Sequence, residues 1–202
     1  MKAVGEYSWL LTFDDDEERR ANQRARATAD LIRKLSPAGL VDVIPAARTL
    51  FVAGDRAFDA GVLVGLEAVS LSGPSAEPRL HEIRVVPDGE DVVDVSSALG
   101  VSPETFWERL LAPTYTVGFL GFSPGFAYLY GLPRGLRRPR RKTPRVSVPA
   151  RSLAMAGPYV GIYPTAMPGG WNLLGTATAD LFDAGLHPPT LFAPGDAVRF
   201  HL

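Results

Sequence analysis

"FLGFSPGFAYLYGLP", Phe119 to Pro133, sets five aromatic rings among glycines and prolines and contains no charged side chain. Glycine reaches backbone angles barred to other residues and lets a ligand or a second chain come close, while neighbouring aromatics supply apolar walls. The stretch reads as a turn that lines a pocket, or as rings that fill the end of a barrel. "YPTAMPGGWNLLG", Tyr163 to Gly175, repeats the chemistry, because Pro168, Gly169 and Gly170 force a tight turn that delivers the Trp171 indole to a fixed place. The candidate pocket residues are therefore Phe119, Gly121, Phe122, Pro124, Gly125, Phe126 and Tyr128 from the first stretch. Tyr163, Pro168, Gly169, Gly170 and Trp171 come from the second, and the two turns can face each other.

Outward from these turns, short apolar runs alternate with Pro/Gly punctuation: "RVSVPA", "SLAMAG", "VGIYP" and the ending "LFAPGDAVRFHL". That pattern predicts a compact β-barrel or sandwich from Tyr115 onward. Upstream, "LHEIRVV" (Leu80 to Val86) alternates like a half-buried strand, "VVDVSSALG" suggests a short helix, and "SPETFWERLLA" another, with Ser102 as N-cap and Pro103 at the first helical position. Nearer the start, "YSWLLTF" (Tyr7 to Phe13) reads as a strand. A helix should follow through Lys34, with Ala21, Arg24/Ala25, Thr28, Leu31/Ile32 and Leu35 recurring at three- and four-residue spacing. "LVDVIPA" and "RTLFVAG" then predict two strands, and Arg56 to Leu71 a second helix despite two glycines. "SGPSAEPR", Ser72 to Arg79, is the best linker candidate, so the expected domains are 1–78, small and α/β, and 79–202, β-rich. The fold class is α+β.

A chain of 202 residues, 46% of them hydrophobic, can bury a real core. No run approaches the roughly 20 apolar residues that cross a bilayer, and the start lacks a signal peptide's apolar core, which predicts a cytoplasmic protein with no membrane partner. Cysteine is absent, so there are no disulfides or thiol nucleophiles, and three scattered histidines, His81, His187 and His201, offer no metal cluster. Charge is distributed unevenly. Arg109 to Ala179 contains no Asp, Glu or His but eight arginines and Lys142, a total of +9, while the rest of the chain sums to −10, much of it in "DDDEE" (Asp14 to Glu18) and "DGEDVVD" (Asp88 to Asp94). The basic run "RGLRRPRRKTPR" is either a solvated loop or an attractor of an anionic group. Nucleic acid is disfavoured, because the aromatics lie upstream of the arginines rather than interleaved with them.

"YTVGFLGFSPGFAYLYGLP", "PRRKTPRVSVPA", "AMAG", "GIYPTAMPGGW" and "LFAPGDAVRF" together resemble the allophanate hydrolase subunit 1 family, which includes the B-type subunit of 5-oxoprolinase and the kinase inhibitor KipI. The resemblance implies a ferredoxin-like N-terminal domain, a cyclophilin-like β-barrel of the carboxyltransferase type, and work beside a second protein, of the allophanate hydrolase subunit 2 kind or its equivalent, the C-type subunit of 5-oxoprolinase. The implied reaction is ATP-dependent opening of a small amide or lactam, 5-oxoproline to glutamate. ATP, with Mg²⁺, would be held mainly by the partner, since this chain has no Walker A pattern, and "AMAG" offers no lysine for covalent biotin. Arg145 and Arg141 are the expected catalytic cations for phosphate or carboxylate; acid and base groups would come from the partner, with Asp180, Asp183, Asp196 and His187 as weaker internal candidates. The family pattern departs at Leu110 (often His), at Arg151 (glycine in the usual turn) and at Thr176 (arginine). The alternative reading is a KipI-like protein that binds and inhibits a sensor histidine kinase without catalysis. Prolyl isomerase activity is not inferred from the barrel alone.

Overall fold

In the computed structural model, residues 1–66 and 78–202 are described, and the chain divides into two compact units, Met1–Glu77 and Pro78–Leu202. The first unit contains strands β1 (Lys2–Gly5) and β2 (Ser8–Thr12), helix α1 (Glu18–Leu35), and strands β3 (Leu40–Pro45) and β4 (Thr49–Gly54). Its sheet runs β1-β2-β4-β3 with every neighbouring pair antiparallel. Helix α1 thus connects two strands that flank β4, the split β-α-β arrangement of ferredoxin-like units. Ala21, Ala25, Thr28, Ala29 and Ile32 form its buried stripe, whereas Leu35, expected on that face, is 58% exposed. The helix ends at Ser36, in a left-handed conformation, and the chain turns before Leu35 can reach the sheet.

Two expectations for this unit need correction. Strand β1 has no counterpart in the sequence pattern, because "KAVG" is short and fully exposed and carries no alternation. The second helix expected over Arg56 to Leu71 is, within the described residues, only a 3₁₀ turn at Ala60–Leu63. The Asp59 carboxylate accepts from the Gly61 N–H and starts the turn, and Gly65, at a φ of +80°, lies outside right-handed helix geometry. The last part of that stretch and most of the expected linker lie outside the described residues.

The second unit comprises β5 (Leu80–Val86), α2 (Val92–Ala98), α3 (Pro103–Leu111), β6 (Tyr115–Leu120), β7 (Ala127–Tyr130), β8 (Arg145–Val148), β9 (Ser152–Ala156), β10 (Tyr159–Ile162), β11 (Met167–Gly169), β12 (Asn172–Ala177) and β13 (Ala197–His201). Seven strands close into a barrel in the order β10-β7-β6-β13-β5-β12-β9, and β8 pairs with β11 as a separate ribbon. Strand β5 buries alternate residues as its sequence predicts. Helix α3 begins as expected, with the Ser102 hydroxyl accepting from the Thr105 N–H and Pro103 in the first turn. Phe106, Trp107 and Leu110 plug the barrel with Tyr115, Leu153, Leu174 and Phe200. Leu110, a point of departure from the family pattern, is fully buried there, and its backbone carbonyl accepts from the Tyr115 hydroxyl at 2.7 Å.

The loop between β5 and α2 is stitched to β12: the Gly89 N–H donates to Leu174 O at 3.0 Å and the Asp91 N–H to Leu173 O at 3.1 Å. Only glycine fits at 89, since a Cβ there would lie 2.1 Å from the Leu174 carbonyl carbon. Neither backbone can yield alone. Gly89→Ala is therefore expected to destabilise the protein by about 3 kcal/mol or more, read as a lower urea midpoint; an unchanged midpoint would show that the stitch is not rigid.

Candidate functional site

The turn between β6 and β7 and the turn after β11 meet through their rings. Phe126 is the hub, edge-on to Phe122 (5.5 Å between centroids), Tyr128 (5.2 Å), Tyr163 (5.3 Å) and Trp171 (5.3 Å). Phe119 stacks on Tyr128 at 4.4 Å, and two rings outside the expected pocket set, Tyr130 and Tyr159, complete the group. Phe126, Tyr163 and Trp171 are buried with Val148, Ala154 and Leu173, so they serve as a second core. Phe119, Tyr128 and Tyr159 stay partly exposed and form the accessible aromatic face.

The turns have the geometry that the glycines suggested. Phe122 has a φ of +73° and Gly125 of +80°, and a Cβ on Gly125 would meet Phe182 Cβ at 2.7 Å. Gly169 has no room either, because a Cβ there would collide with the Tyr163 hydroxyl. Gly121 faces open space, Phe122 is 66% exposed, and Pro124 and Pro168 are exposed. The Gly170 carbonyl accepts from the Arg141 N–H at 2.8 Å, which ties the second turn to the basic loop. Burial pushes the Tyr128 and Tyr163 phenols up, and the Arg140 charge offsets this only in part.

Both expected cations converge on a carboxylate that no sequence motif marked. Asp91 Oδ1 accepts from Arg141 Nη1 at 2.6 Å and from Arg145 Nη2 at 2.9 Å, while Oδ2 accepts from the Leu173 N–H at 2.7 Å. Its side chain is 5% exposed. Glu90 adds an outer contact, Oε2 to Arg145 Nη2 at 3.1 Å. Burial pushes the Asp91 carboxyl up, but the hydrogen bonds from Arg145 and Leu173 and the charges of both arginines outweigh it, so the group lies below the usual carboxylate range. Among the described residues, two buried side-chain polar atoms have no hydrogen-bond partner, Ser123 Oγ in the first turn and Arg145 Nη1.

Three of the weaker internal candidates have other partners. Asp180 pairs with Arg151, and Asp183 caps the Gly185 N–H. Asp196 accepts from the Ala193 N–H and contacts His81 Nε2 at 2.9 Å, locking β5 to the turn before β13. His187 is exposed and precedes a cis proline. Arg151 replaces a glycine of the family pattern at a φ of +65°, and Thr176 donates to Asp88. The one signal that pointed to Asp91 was the acidic run "DGEDVVD", legible only as charge.

Because the folded-state affinity of Asp91 for its proton is depressed, its contribution to stability is fully present above the unfolded carboxylate value and disappears as pH falls through the folded one. Asp91→Asn should therefore cost about 3 kcal/mol at neutral pH, with the gap from the unmodified protein narrowing below about pH 4. Urea titrations at a series of pH values check this. Curves that stay parallel into acid would place the carboxylate's energy elsewhere.

The family described as "Carboxyltransferase domain, subdomain C and D" matches residues 1–192. The chain is 46% identical to the B-type subunit of 5-oxoprolinase from Escherichia coli O157:H7 over 127 residues, a stretch spanning 61% of this chain and 58% of that relative. It is 30% identical to the corresponding 5-oxoprolinase subunit of Bacillus subtilis (strain 168) over 218 residues, 99% of this chain and 91% of that one. A crystal structure of TTHA0988 superposes with a TM-score of 0.85 at 40% identity, over 96% of this chain and 39% of that longer chain. The chain belongs to the carboxyltransferase subdomain C and D family, in the group that holds the 5-oxoprolinase B-type and allophanate hydrolase subunit 1 proteins.

Proposed function

We propose that this chain is a non-autonomous subunit of an ATP-dependent 5-oxoprolinase-type hydrolase, opening 5-oxoproline to glutamate beside a partner of the allophanate hydrolase subunit 2 or 5-oxoprolinase C-type kind. The observation that carries the reading is the arginine pair fixed by an ionised carboxylate next to the aromatic turns. Such a site binds and orients an anionic group, yet its buried carboxyl is held deprotonated and its phenols are held protonated. It supplies positioning and positive charge, and leaves proton transfer to a partner.

Opening an unactivated lactam needs a more electrophilic carbonyl carbon, which phosphorylation of the amide oxygen by ATP supplies: water adds to that carbon, the ring C–N bond breaks as the nitrogen takes a proton, and a second water releases the phosphate, while the accumulating negative charge needs a cation beside it. Arg145 and Arg141 are assigned that role here, toward phosphate or carboxylate, and the two turns shape the pocket's wall. Among the described residues no three His, Asp or Glu side chains gather as metal ligands, and no step is routed through Mg²⁺. No helix among the described residues is long and apolar enough to cross a membrane.

With the C-type partner present, ATP-dependent hydrolysis of 5-oxoproline should fall roughly a hundredfold in Arg145→Ala. Turnover unchanged in that variant would remove Arg145 from the reaction. Full activity of this chain alone would contradict its dependence on a partner.

A further inference from the structure

We propose that the guanidinium fork of Arg145 is the seat of a small ligand's carboxylate, and that Glu90 holds this seat as an internal stand-in. The inference rests on the anion-binding reading above and narrows it to one atom group and one competitor.

Arg145 is used unequally. Asp91, buried and anchored by three hydrogen bonds, takes Nη2 from one side and fixes the plane of the guanidinium. Glu90 reaches the same Nη2 with a single oxygen, and its side chain is 72% exposed. Nη1 is buried and has no partner. A buried charged donor without an acceptor is costly, and arginine's preferred solution is a carboxylate gripped by both terminal nitrogens at once. Glu90 makes only half of that grip. Exchanging it for a ligand carboxylate costs one solvated surface contact and satisfies Nη1 as well as Nη2.

The surroundings define the ligand. Gly169 is the strand partner of Arg145 across the β8–β11 ribbon, so the body attached to the carboxylate meets glycine backbone rather than a neighbouring side chain. Asp91 remains in place as a second negative charge, which a monoanion tolerates better than a phosphate dianion does. The chemistry is that of a compact monocarboxylate. Asp91 is thus a positioning residue, and Glu90 a competitor whose loss improves binding.

Calorimetric titration of the full chain with three probes tests this: 5-oxoproline, 2-pyrrolidinone (the same ring without the carboxylate) and inorganic phosphate. The expected order is 5-oxoproline tightest, with each of the others about tenfold weaker. Glu90→Ala, a surface change that leaves the fold intact, should tighten 5-oxoproline by about two- to fivefold, and Arg145→Lys should weaken it about tenfold. Unaltered or weaker binding in Glu90→Ala, equal binding of the ring without its carboxylate, or no binding of any probe would each overturn the seat. This pattern of binding without ATP-dependent turnover in the complex would uphold the seat and sink the hydrolase reading. Turnover with a 5-oxoproline KM unmoved in Glu90→Ala would do the reverse.

Discussion

The organisation of the second unit depends on one buried carboxylate. Asp91 accepts from two arginines and a strand N–H, and through them it joins the start of α2 to the basic loop and to β12. A lone charge at that depth would cost several kcal/mol, so the arrangement persists only because each oxygen is answered. The two guanidinium groups that a solvated loop would scatter are thereby held together, on residues whose backbones adjoin Gly169 and Gly170 of the second turn. The electrostatic content of the site is a consequence of that one residue's burial.

Around this node the backbone does the positioning. Gly89 lets the acidic loop lie against β12, closer than any side chain would permit, and the Gly170 carbonyl fastens the second turn to Arg141. The rings divide into two jobs: Phe126, Tyr163 and Trp171 are packing, while Phe119, Tyr128 and Tyr159 offer a partly open surface. A cation held rigidly at the second turn suits recognition of a small anion, and the pKa directions argue against acid or base work by Asp91 and the phenols.

Much of the fold was legible because it is written in local pattern. The alternation of β5, the Ser102 and Pro103 start of α3, and the Pro/Gly punctuation of the barrel strands each reflect short-range geometry. The failures are equally physical. Strand β1 has no patterned face, and the stretch after β4 has helical spacing that Gly65 interrupts. The aromatic turns were readable as turns, but not which rings would be sealed into the core. Asp91 was invisible as a site residue because its partners lie 50 and 54 residues away, and no periodicity encodes an ion pair between segments so far apart. The sign difference between "DGEDVVD" and the basic run was the trace of that contact.

The most direct measurement is a double-mutant cycle in which Asp91→Asn, Arg145→Gln and the pair are compared by urea unfolding at neutral pH. The account predicts a coupling of about 2 kcal/mol between the two positions, because each side chain answers the other's buried charge. Additive losses, with no coupling, would contradict it.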